Sequence, residues 1–286
     1  MLGNDQIRTF RDDGFTVVPG FLSPNRLNEL LTEAEEFTAG HTLAAHDATR
    51  MEMEPGQAPG GTAVRRLYEP CTYYPVARAL SEANDLLDCV EKLFGPNLLF
   101  HYSKLNMKPA KVGSLVEWHQ DLSYYPLTNT DSLAVLFYLD DTTADNGSLK
   151  LIPGRHHEVL LEHSTDGYFQ GRVTEPVDES TAVLAEGPAG TAIFMHGLTP
   201  HASAPNASSD PRRTLILSYR AADAFPLHCG PMTEKAEAHV KLVRGQSPKV
   251  ARFNITEFPI PKYKNEIASL YDLQERSRKG ELSSWA

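Results

Sequence analysis

The chain has 286 residues, 41% of them hydrophobic, and a formal net charge of −10, values that suit a globular protein with a sizeable core. Its lysines and arginines form no dense run, which argues against a surface that follows nucleic-acid phosphates. No run approaches about 18 apolar residues and the first segment, MLGNDQIRTF, has no apolar signal core, so the sequence predicts no membrane span.

The three cysteines, Cys71, Cys89 and Cys229, form no C-x-x-C pair. An odd number at wide spacing is typical of a reducing compartment and not of a disulfide framework. We therefore expect a cytoplasmic protein.

The first hundred residues predict mainly helices. A short helix should end before Gly14, and a short strand follows it. Ser23 and Pro24 mark the start of a longer helix, because Ser is a favoured N-cap and Pro suits the first helical position. Apolar residues then recur at helical spacing: Leu27, Leu30, Leu31, Ala34 and Phe37. A further helix, capped by Ser81, should end at Gly95.

Residues 40–64 interrupt this periodicity and are dominated by Ala, Gly, Thr, Pro and Met. A loop of this length in a compact domain is usually functional or disordered. We interpret it as a lid over a site, with disorder of no consequence as the alternative. It leads into Arg65 and Arg66, which are candidates to meet an acidic group on a substrate; a surface salt bridge is the alternative for each.

Strands follow from Leu98 onward. Alternation along residues 98–107 puts Tyr102, Lys104 and Asn106 on one face, and Lys104 is a third candidate for an acidic substrate group. The nearly continuous apolar run Leu133–Leu139 predicts a strand that is buried on both faces. The tail from Pro259 carries helical spacing at Ile267, Leu270 and Tyr271, and should cover a barrel end or form a subunit contact.

Many short strands after an N-terminal helical layer predict a mainly β fold with flanking helices, namely a double-stranded β-helix of the jelly-roll or cupin type. The composition shows no break, so we expect a single domain over residues 1–286. Within it, residues 1–97 form the helical layer and lid, 98–223 the β-helix core, and 224–286 a C-terminal extension.

The segment Glu117-Trp118-His119-Gln120-Asp121-Leu122 holds the candidate metal ligands. Residues i and i+2 of a strand share a face, so His119 and Asp121 should project together while Gln120 faces away. His201 would complete a 2-His-1-carboxylate set, which binds non-haem Fe(II) and leaves coordination positions open. His196 is the rival for the third position. Trp118 and Tyr124 are candidates to line a substrate pocket, although aromatic residues here are as often plain core.

An arginine that opens an apolar strand after a histidine ligand can form a bidentate pair with a carboxylate held by the metal. Arg212 lies eleven residues after His201, and Arg213 is its neighbour. Together these motifs resemble the phytanoyl-CoA dioxygenase family of Fe(II)/2-oxoglutarate-dependent oxygenases, especially its ectoine hydroxylase-type members. The resemblance extends from Asp13 to about Asp223.

The resemblance implies Fe(II), 2-oxoglutarate and O2 as the reacting cofactors, with 2-oxoglutarate decarboxylated to succinate and CO2 while an unactivated C–H bond of a small metabolite is hydroxylated. Its offset favours Arg212 over Arg213 as the anchor of the distal carboxylate of 2-oxoglutarate. The stretch S-K-L-N-M-K-P assigns Asn106 to the same cosubstrate, and Ser203, two residues after His201, should assist the distal carboxylate.

Other functions remain open on the sequence. The same cofactors also serve desaturation or cyclisation, and a metal-binding barrel can act as a sensor or scaffold. A hydrolytic zinc enzyme can use the same three ligands, but Arg212 then has no evident task. Halogenation is disfavoured because Asp121 is present. We expect the partner to be a small molecule, and Arg65, Arg66 and Lys104 point to an anionic group on it. We expect the protein to be a monomer or homodimer.

Overall fold

The computed structural model describes residues 1–228, 230–263 and 269–282. Its helices are α1 (Asn4–Asp13), α2 (Pro24–Thr38), α3 (Pro70–Tyr73), α4 (Pro75–Ser81), α5 (Asn84–Phe94), α6 (Pro231–Glu237) and α7 (Leu270–Arg278). Its strands are β1 (Phe15–Val18), β2 (Met51–Met53), β3 (Val64–Tyr68), β4 (Leu98–Lys108), β5 (Val116–His119), β6 (Ser132–Tyr138), β7 (Leu149–Leu151), β8 (Ser164–Thr165), β9 (Tyr168–Phe169), β10 (Val183–Ala185), β11 (Ala192–His196), β12 (His201–Ser203), β13 (Arg212–Ala221) and β14 (Lys241–Arg244).

Two antiparallel sheets face each other. The larger has the order β1-β11-β6-β13-β4-β3-β2, with β14 beside β4, and the smaller has the order β10-β7-β12-β5. The central strand β6 is buried along its whole length, as its apolar run predicts. One of its faces packs in a core with the N-terminal helices and the other packs against β7 and β10 of the smaller sheet. The predicted jelly-roll core with a helical layer is therefore confirmed.

The N-terminal helices begin and end largely where their capping residues predict. The Ser23 hydroxyl accepts a hydrogen bond from the Arg26 amide at the start of α2, and α1 ends at Gly14, whose φ of 84° suits glycine. A Cβ on Gly14 would lie 2.5 Å from the Thr199 hydroxyl oxygen. This close approach lets the Gly14 carbonyl accept hydrogen bonds from the His196 amide and the Thr199 hydroxyl, which joins α1 to the segment before His201.

The prediction that Ser81 caps the next helix is wrong. Ser81 lies in the last turn of α4, where its hydroxyl donates to the Arg78 carbonyl, and α5 starts after Ala83 without a side-chain cap. A serine can satisfy a helix carbonyl as well as cap a helix, and its sequence context does not distinguish the two roles.

Residues 40–64 are more regular than a featureless loop. They contain β2, which pairs with β3 in the register Met51↔Leu67. Met51 and Met53 are buried. The segment is thus attached to the edge of the larger sheet.

The C-terminal helices cover one end of the two sheets. The Ser269 hydroxyl caps α7, and Gln274 accepts a hydrogen bond from the Glu117 amide at 3.0 Å, two residues before His119. The tail therefore covers the sheet end at β5, which carries the candidate ligand His119, and this is one of the two placements expected; Ile267 lies outside the described residues. In the described ranges, none of the helices has the length and apolar character that crossing a bilayer requires.

An ion pair between a buried arginine and a half-buried glutamate holds α6 against the larger sheet. Arg220 on β13, 2% exposed, donates to both carboxylate oxygens of Glu237 at 2.5 and 3.0 Å. Burial alone would raise the pKa of Glu237, but hydrogen bonds and charge from His101 and Arg220 outweigh it and lower this pKa to about 2. Removing one partner of such a pair leaves an uncompensated buried charge.

We expect Glu237→Gln to lower the free energy of unfolding by about 3 kcal/mol at pH 7, from the pKa difference between folded and unfolded chains. A carboxyl with a depressed folded-state pKa stabilises above its unfolded pKa and loses this effect as pH falls toward the folded value. The difference between wild type and variant should therefore shrink by about 2 kcal/mol between pH 7 and pH 3. Urea titrations at the two pH values measure it; a difference that does not change with pH contradicts the assignment.

Candidate active site

His119 and His201 lie opposite each other in the smaller sheet. His119 ends β5, His201 begins β12, and the two are Cα partners in the antiparallel register. Their ring centroids are 4.0 Å apart, and both residues are buried at 2% and 6% exposure. Two histidines separated by more than eighty residues of sequence thus share one position of a short strand pair.

Backbone carbonyls orient both imidazoles in the same way. Nδ1 of His119 lies 2.8 Å from the Glu117 carbonyl, and Nδ1 of His201 lies 3.0 Å from the Thr199 carbonyl. A carbonyl can only accept, so each Nδ1 carries the hydrogen and each Nε2 keeps its lone pair. This arrangement prepares both Nε2 atoms as metal ligands.

Asp121 brings the carboxylate to the two Nε2 atoms. Gln120 continues the extended chain and faces away, donating to the Leu198 carbonyl at 2.6 Å, and Asp121 then opens the 3₁₀ turn Asp121–Ser123. Its Oδ1 lies 3.8 Å from His119 Nε2 and 4.0 Å from His201 Nε2. The strand ends at His119 and does not continue through Asp121 as expected, but His119 and Asp121 do project to the same side.

The donor set fits a ferrous ion. Ligand atoms bound to one metal at about 2.1 Å lie about 3 to 4 Å from one another, and the three ligand atoms here lie within 4.8 Å of one another. Burial lowers the pKa of both His119 and His201, so the imidazoles are neutral, as coordination requires. Within the described residues this is the one group of this kind that the structure brings together.

His196 occupies a different environment. Its ring packs 6.2 Å from the rings of both Phe10 and Phe94, between the N-terminal helices and β11. Its Nδ1 accepts a hydrogen bond from the Leu198 amide, and burial lowers its pKa to about 3. It is a core histidine and lies outside the ligand group that contains His201.

Arg212 and Arg213 point to opposite sides of β13. Arg212 is buried, and its guanidinium donates from Nε and Nη2 to the Gly147 carbonyl and from Nη1 to the Thr214 hydroxyl at 3.1 Å. Arg213 faces outward and forms a bidentate pair with Asp140 at 2.7 and 3.0 Å. Arg212 is therefore the inward arginine, and no carboxylate pairs with it among the described residues.

Asn106 lies beside Arg212 in the larger sheet. It is the Cα partner of Thr214, and its Oδ1 accepts a hydrogen bond from Arg66 Nε at 2.8 Å. Because this bond uses the amide oxygen, the Nδ2 group of Asn106 is left to donate. Ser203 lies two residues beyond His201 on the same strand and is buried.

A buried lysine lies next to Arg212. Lys108 is 1% exposed, and its Nζ donates to the backbone carbonyls of Ser203 and Ala204. Burial and the charge of Arg212 lower the pKa of Lys108 to about 6. The surroundings of Arg212 and Lys108 are thus rich in hydrogen-bond donors and poor in free acceptors.

A cavity of about 850 Å³ opens in front of the candidate ligands His119 and Asp121. Residues 40–64, α6 and the start of α7 contribute to its wall, together with tyrosines. Its described lining residues are Leu43, His46, Ala48, Thr49, Met51, Glu52, Met53, Arg66, Tyr68, Glu69, Tyr73, Tyr102, Ser103, Lys104, His119, Asp121, Tyr124, Tyr125, Met232, Lys235, Ala236, Ala238, His239, Ser269, Leu270 and Asp272.

Lys104 and Glu69 are two residues of this cavity whose pKa values burial shifts to favour the neutral form. Lys104 Nζ forms no hydrogen bond with any described residue and lies 5.4 Å from the centre of the Tyr102 ring. Burial lowers the pKa of Lys104 to about 8, partly opposed by the charge of Asp121. Burial raises the pKa of Glu69 to about 7 although Ser103 donates two hydrogen bonds to it.

Two candidate substrate residues are not among the described residues that line the cavity. Arg65 forms salt bridges with Glu52 and Glu54 at 3.2 and 3.3 Å, so it is a buried counter-ion. Trp118 donates to Glu179 on the outer surface. Its neighbour His119 faces inward, so alternation along β5 directs Trp118 outward.

Tyr124 does line the cavity, as predicted. Its ring packs edge-on against His119 at 5.9 Å, and its hydroxyl donates to the Gly171 carbonyl. Sequence reasoning did not single out Glu69 or Lys108. Their positions depend on contacts between distant elements, although Lys108 shares the S-K-L-N-M-K-P stretch with Asn106.

Two facing antiparallel sheets with a buried His-Asp-His set between them define a non-haem iron oxygenase of the jelly-roll class. The chain matches the phytanoyl-CoA dioxygenase family over residues 10–214 and belongs to that family. It is an Fe(II)/2-oxoglutarate-dependent dioxygenase, which confirms the fold, enzyme class and cofactors that its sequence predicts.

Several characterised proteins are similar to it. A probable alpha-ketoglutarate-dependent hypophosphite dioxygenase of Stutzerimonas stutzeri is 30% identical over 92% of this chain and 95% of its own. A methylphosphonate hydroxylase of Gimesia maris is 28% identical over 77% of this chain and 81% of its own. The crystal structure of EctD from S. alaskensis with 2-oxoglutarate and 5-hydroxyectoine superimposes with a TM-score of 0.64 at 26% identity, covering 77% of both chains.

We expect His201→Ala to abolish stable iron binding, because two ligands remain, whereas His196→Ala should retain it. Metal analysis after anaerobic loading with Fe(II) and desalting measures the iron per chain. The wild type should hold about one ion, and His196→Ala the same with a lowered melting temperature from lost packing. Equal loss of iron in both variants would leave His201 without its assigned role.

Proposed function

We propose that this chain hydroxylates a small metabolite that carries an acidic oxyanion group. In this proposal His119, Asp121 and His201 hold Fe(II), while Arg212, Asn106 and Ser203 bind 2-oxoglutarate. The observation that carries the substrate class is Lys104, a cation without a hydrogen-bond partner among the described residues, in the cavity that His119 and Asp121 line.

When bound, the iron and 2-oxoglutarate supply the oxidising chemistry: the keto acid is split to succinate and CO2, and a C–H bond of the substrate gains a hydroxyl. The protein supplies binding, orientation and exclusion of water. Buried Tyr124 and Tyr125 shield the ligand side of the cavity. The Nδ1 bonds to backbone carbonyls keep His119 and His201 in one tautomer throughout.

The guanidinium of Arg212 is positioned to clamp a carboxylate. Of its five N–H groups, three are directed to Gly147 and Thr214. One hydrogen on each terminal nitrogen remains, and a carboxylate accepts such a pair in two parallel charge-assisted bonds. Of the described residues, none supplies an acid to this edge, so a bound dicarboxylate fits it.

Relatives support an oxyanion substrate. The names of two similar proteins specify hypophosphite and methylphosphonate, both small phosphorus oxyanions. The cavity of about 850 Å³ is large for hypophosphite itself, since volumes of this order suit drug-sized ligands. Apolar lining by Met51, Met53 and Leu270 suits a carbon skeleton attached to the acidic group.

The three basic residues expected to meet an acidic substrate take different roles in this proposal. Lys104 keeps that role. Arg65 is paired with Glu52 and Glu54. Arg66 lines the cavity but donates to Asn106, which assigns it to the cosubstrate side. We also place the protein in the cytoplasm, where reducing conditions maintain Fe(II) and the buried thiols of Cys71 and Cys89.

The direct test is oxygen-dependent formation of succinate from 2-oxoglutarate by protein loaded anaerobically with Fe(II). We expect alkylphosphonates and alkyl carboxylates to stimulate succinate formation more than their uncharged esters do. Mass spectrometry should find products that gain one oxygen atom. No succinate with any compound would favour a sensor or scaffold, and zinc-supported turnover without O2 would favour a hydrolase.

We expect Lys104→Met to raise the KM of a stimulating acid about tenfold or more, the effect of losing one hydrogen bond to a charged group. Lys235→Met is the matched control, because Lys235 lines the same cavity but is exposed at its mouth. The control should change this KM less than about threefold. Equal KM values in wild type and Lys104→Met would remove Lys104 from substrate binding.

A further inference from the structure

Three strands of the larger sheet align polar side chains in one row. Arg66 on β3 is the Cα partner of Asn106 on β4, and Asn106 is the partner of Thr214 on β13. Arg66 donates to Asn106 at 2.8 Å, and Arg212 donates to Thr214 at 3.1 Å. The row therefore has a guanidinium at each end and the Asn106 amide between them.

Two donors beside this row are buried without a partner. Among the described residues, nothing in hydrogen-bonding geometry accepts from Arg66 Nη2 or from the Tyr271 hydroxyl. Burial alone would lower the pKa of the Arg66 guanidinium, but the phenol oxygen of Tyr271 lies near enough to act to raise it. Both residues are 4% exposed. A buried unsatisfied donor costs about 1–3 kcal/mol, and native proteins retain few of them. Two such donors beside each other indicate a ligand that supplies the acceptor.

Tyr271 reaches this place from the C-terminal helix α7. Its ring lies between the two neighbouring arginines of β3, 4.4 Å from Cζ of Arg65 and 4.6 Å from Cζ of Arg66. Ser269 and Gln274 fix the helix, through bonds to Glu52 and to the backbone next to the metal-ligand strand. Burial raises the pKa of Tyr271, so its hydroxyl remains a donor at neutral pH.

The position of Tyr271 separates it from the substrate cavity. Leu270 and Asp272 line that cavity, whereas Tyr271 is not among its described lining residues. The charges of Arg66, Arg65 and Arg212 act on the Tyr271 hydroxyl, and so does the carboxylate of Glu52. Glu52 already accepts hydrogen bonds from Arg65, Tyr68 and Ser269. The missing acceptor beside these arginines is therefore assigned to an anionic oxygen of a ligand.

We propose that Tyr271 and Arg66 are binding residues for 2-oxoglutarate, donating from the phenol hydroxyl and Nη2 to the distal carboxylate that Arg212 clamps. This inference rests on the proposed function and extends its cosubstrate site. α7 lies beyond residues 10–214, over which the chain matches its family, so this donor comes from outside the matched region. The C-terminal extension thereby completes the cosubstrate pocket.

Tyr271→Phe tests the proposal because it removes only the hydroxyl. Tyr263→Phe is the matched control, since Tyr263 is half-buried and its buried hydroxyl is also unsatisfied, but its ring packs on Phe169 at 5.6 Å. Anaerobic titration of the Fe(II) protein with 2-oxoglutarate, followed by the visible charge-transfer absorption, gives the Kd. We expect Tyr271→Phe to raise this Kd about tenfold, the loss of one hydrogen bond to a charged acceptor, and Tyr263→Phe to leave it within about twofold.

A truncated cosubstrate sharpens the test. 2-Oxovalerate keeps the keto acid group but lacks the distal carboxylate, so its Kd should be the same in wild type and Tyr271→Phe. An equal loss for both keto acids would mean a general disturbance of the pocket and would overturn the assignment. So would an unchanged Kd for 2-oxoglutarate, or a variant that changes only the KM of the hydroxylated substrate. Failure of the wild type to bind 2-oxoglutarate at all would instead refute the proposed function.

Discussion

The antiparallel register of β5 and β12 places His119 directly opposite His201, and the rest of the site depends on this pairing. Each imidazole gives its Nδ1 hydrogen to a carbonyl two residues earlier, at Glu117 and Thr199, so the strands that position the rings also select their tautomer. Asp121 follows after one outward residue and meets both Nε2 atoms. A shift of one residue in either strand would turn its histidine to the other face.

The two sheets contribute different groups to the site. The smaller sheet carries the candidate iron ligands, and the larger one supplies donors. Among these are Lys104, Lys108 and Arg212, none of which forms an ion pair within the described residues. Burial lowers the pKa of Lys108 to about 6 and that of Lys104 to about 8, because it disfavours the charged form of each amine. A bound anion would favour the charged forms. In the proposed function, the guanidinium of Arg212 and the ammonium of Lys104 favour acidic ligands at this site, in a chain whose net charge is −10.

Periodicity and spacing predicted the part of the site that depends on local geometry. Alternation put His119 and Asp121 on one side. The same rule directs Trp118, the neighbour of His119, outward, so its proposed place in the pocket was inconsistent with that rule. Alternation likewise required Arg212 and Arg213 to diverge. Contacts between distant elements could not be predicted in this way. Whether Arg66 faces a substrate or Asn106 depends on the pairing of β3 with β4, and the position of Tyr271 depends on where α7 docks.

The central claim is that an iron held by His119, Asp121 and His201 lies beside one inward arginine that anchors 2-oxoglutarate. Anaerobic titration of the Fe(II)-loaded protein with 2-oxoglutarate, in wild type, Arg212→Met and Arg213→Met, tests it most directly. The account predicts a Kd raised about a hundredfold in Arg212→Met, as for a lost bidentate charged pair, and nearly unchanged in Arg213→Met. Equal affinities in all three proteins, or a loss confined to Arg213→Met, would contradict it.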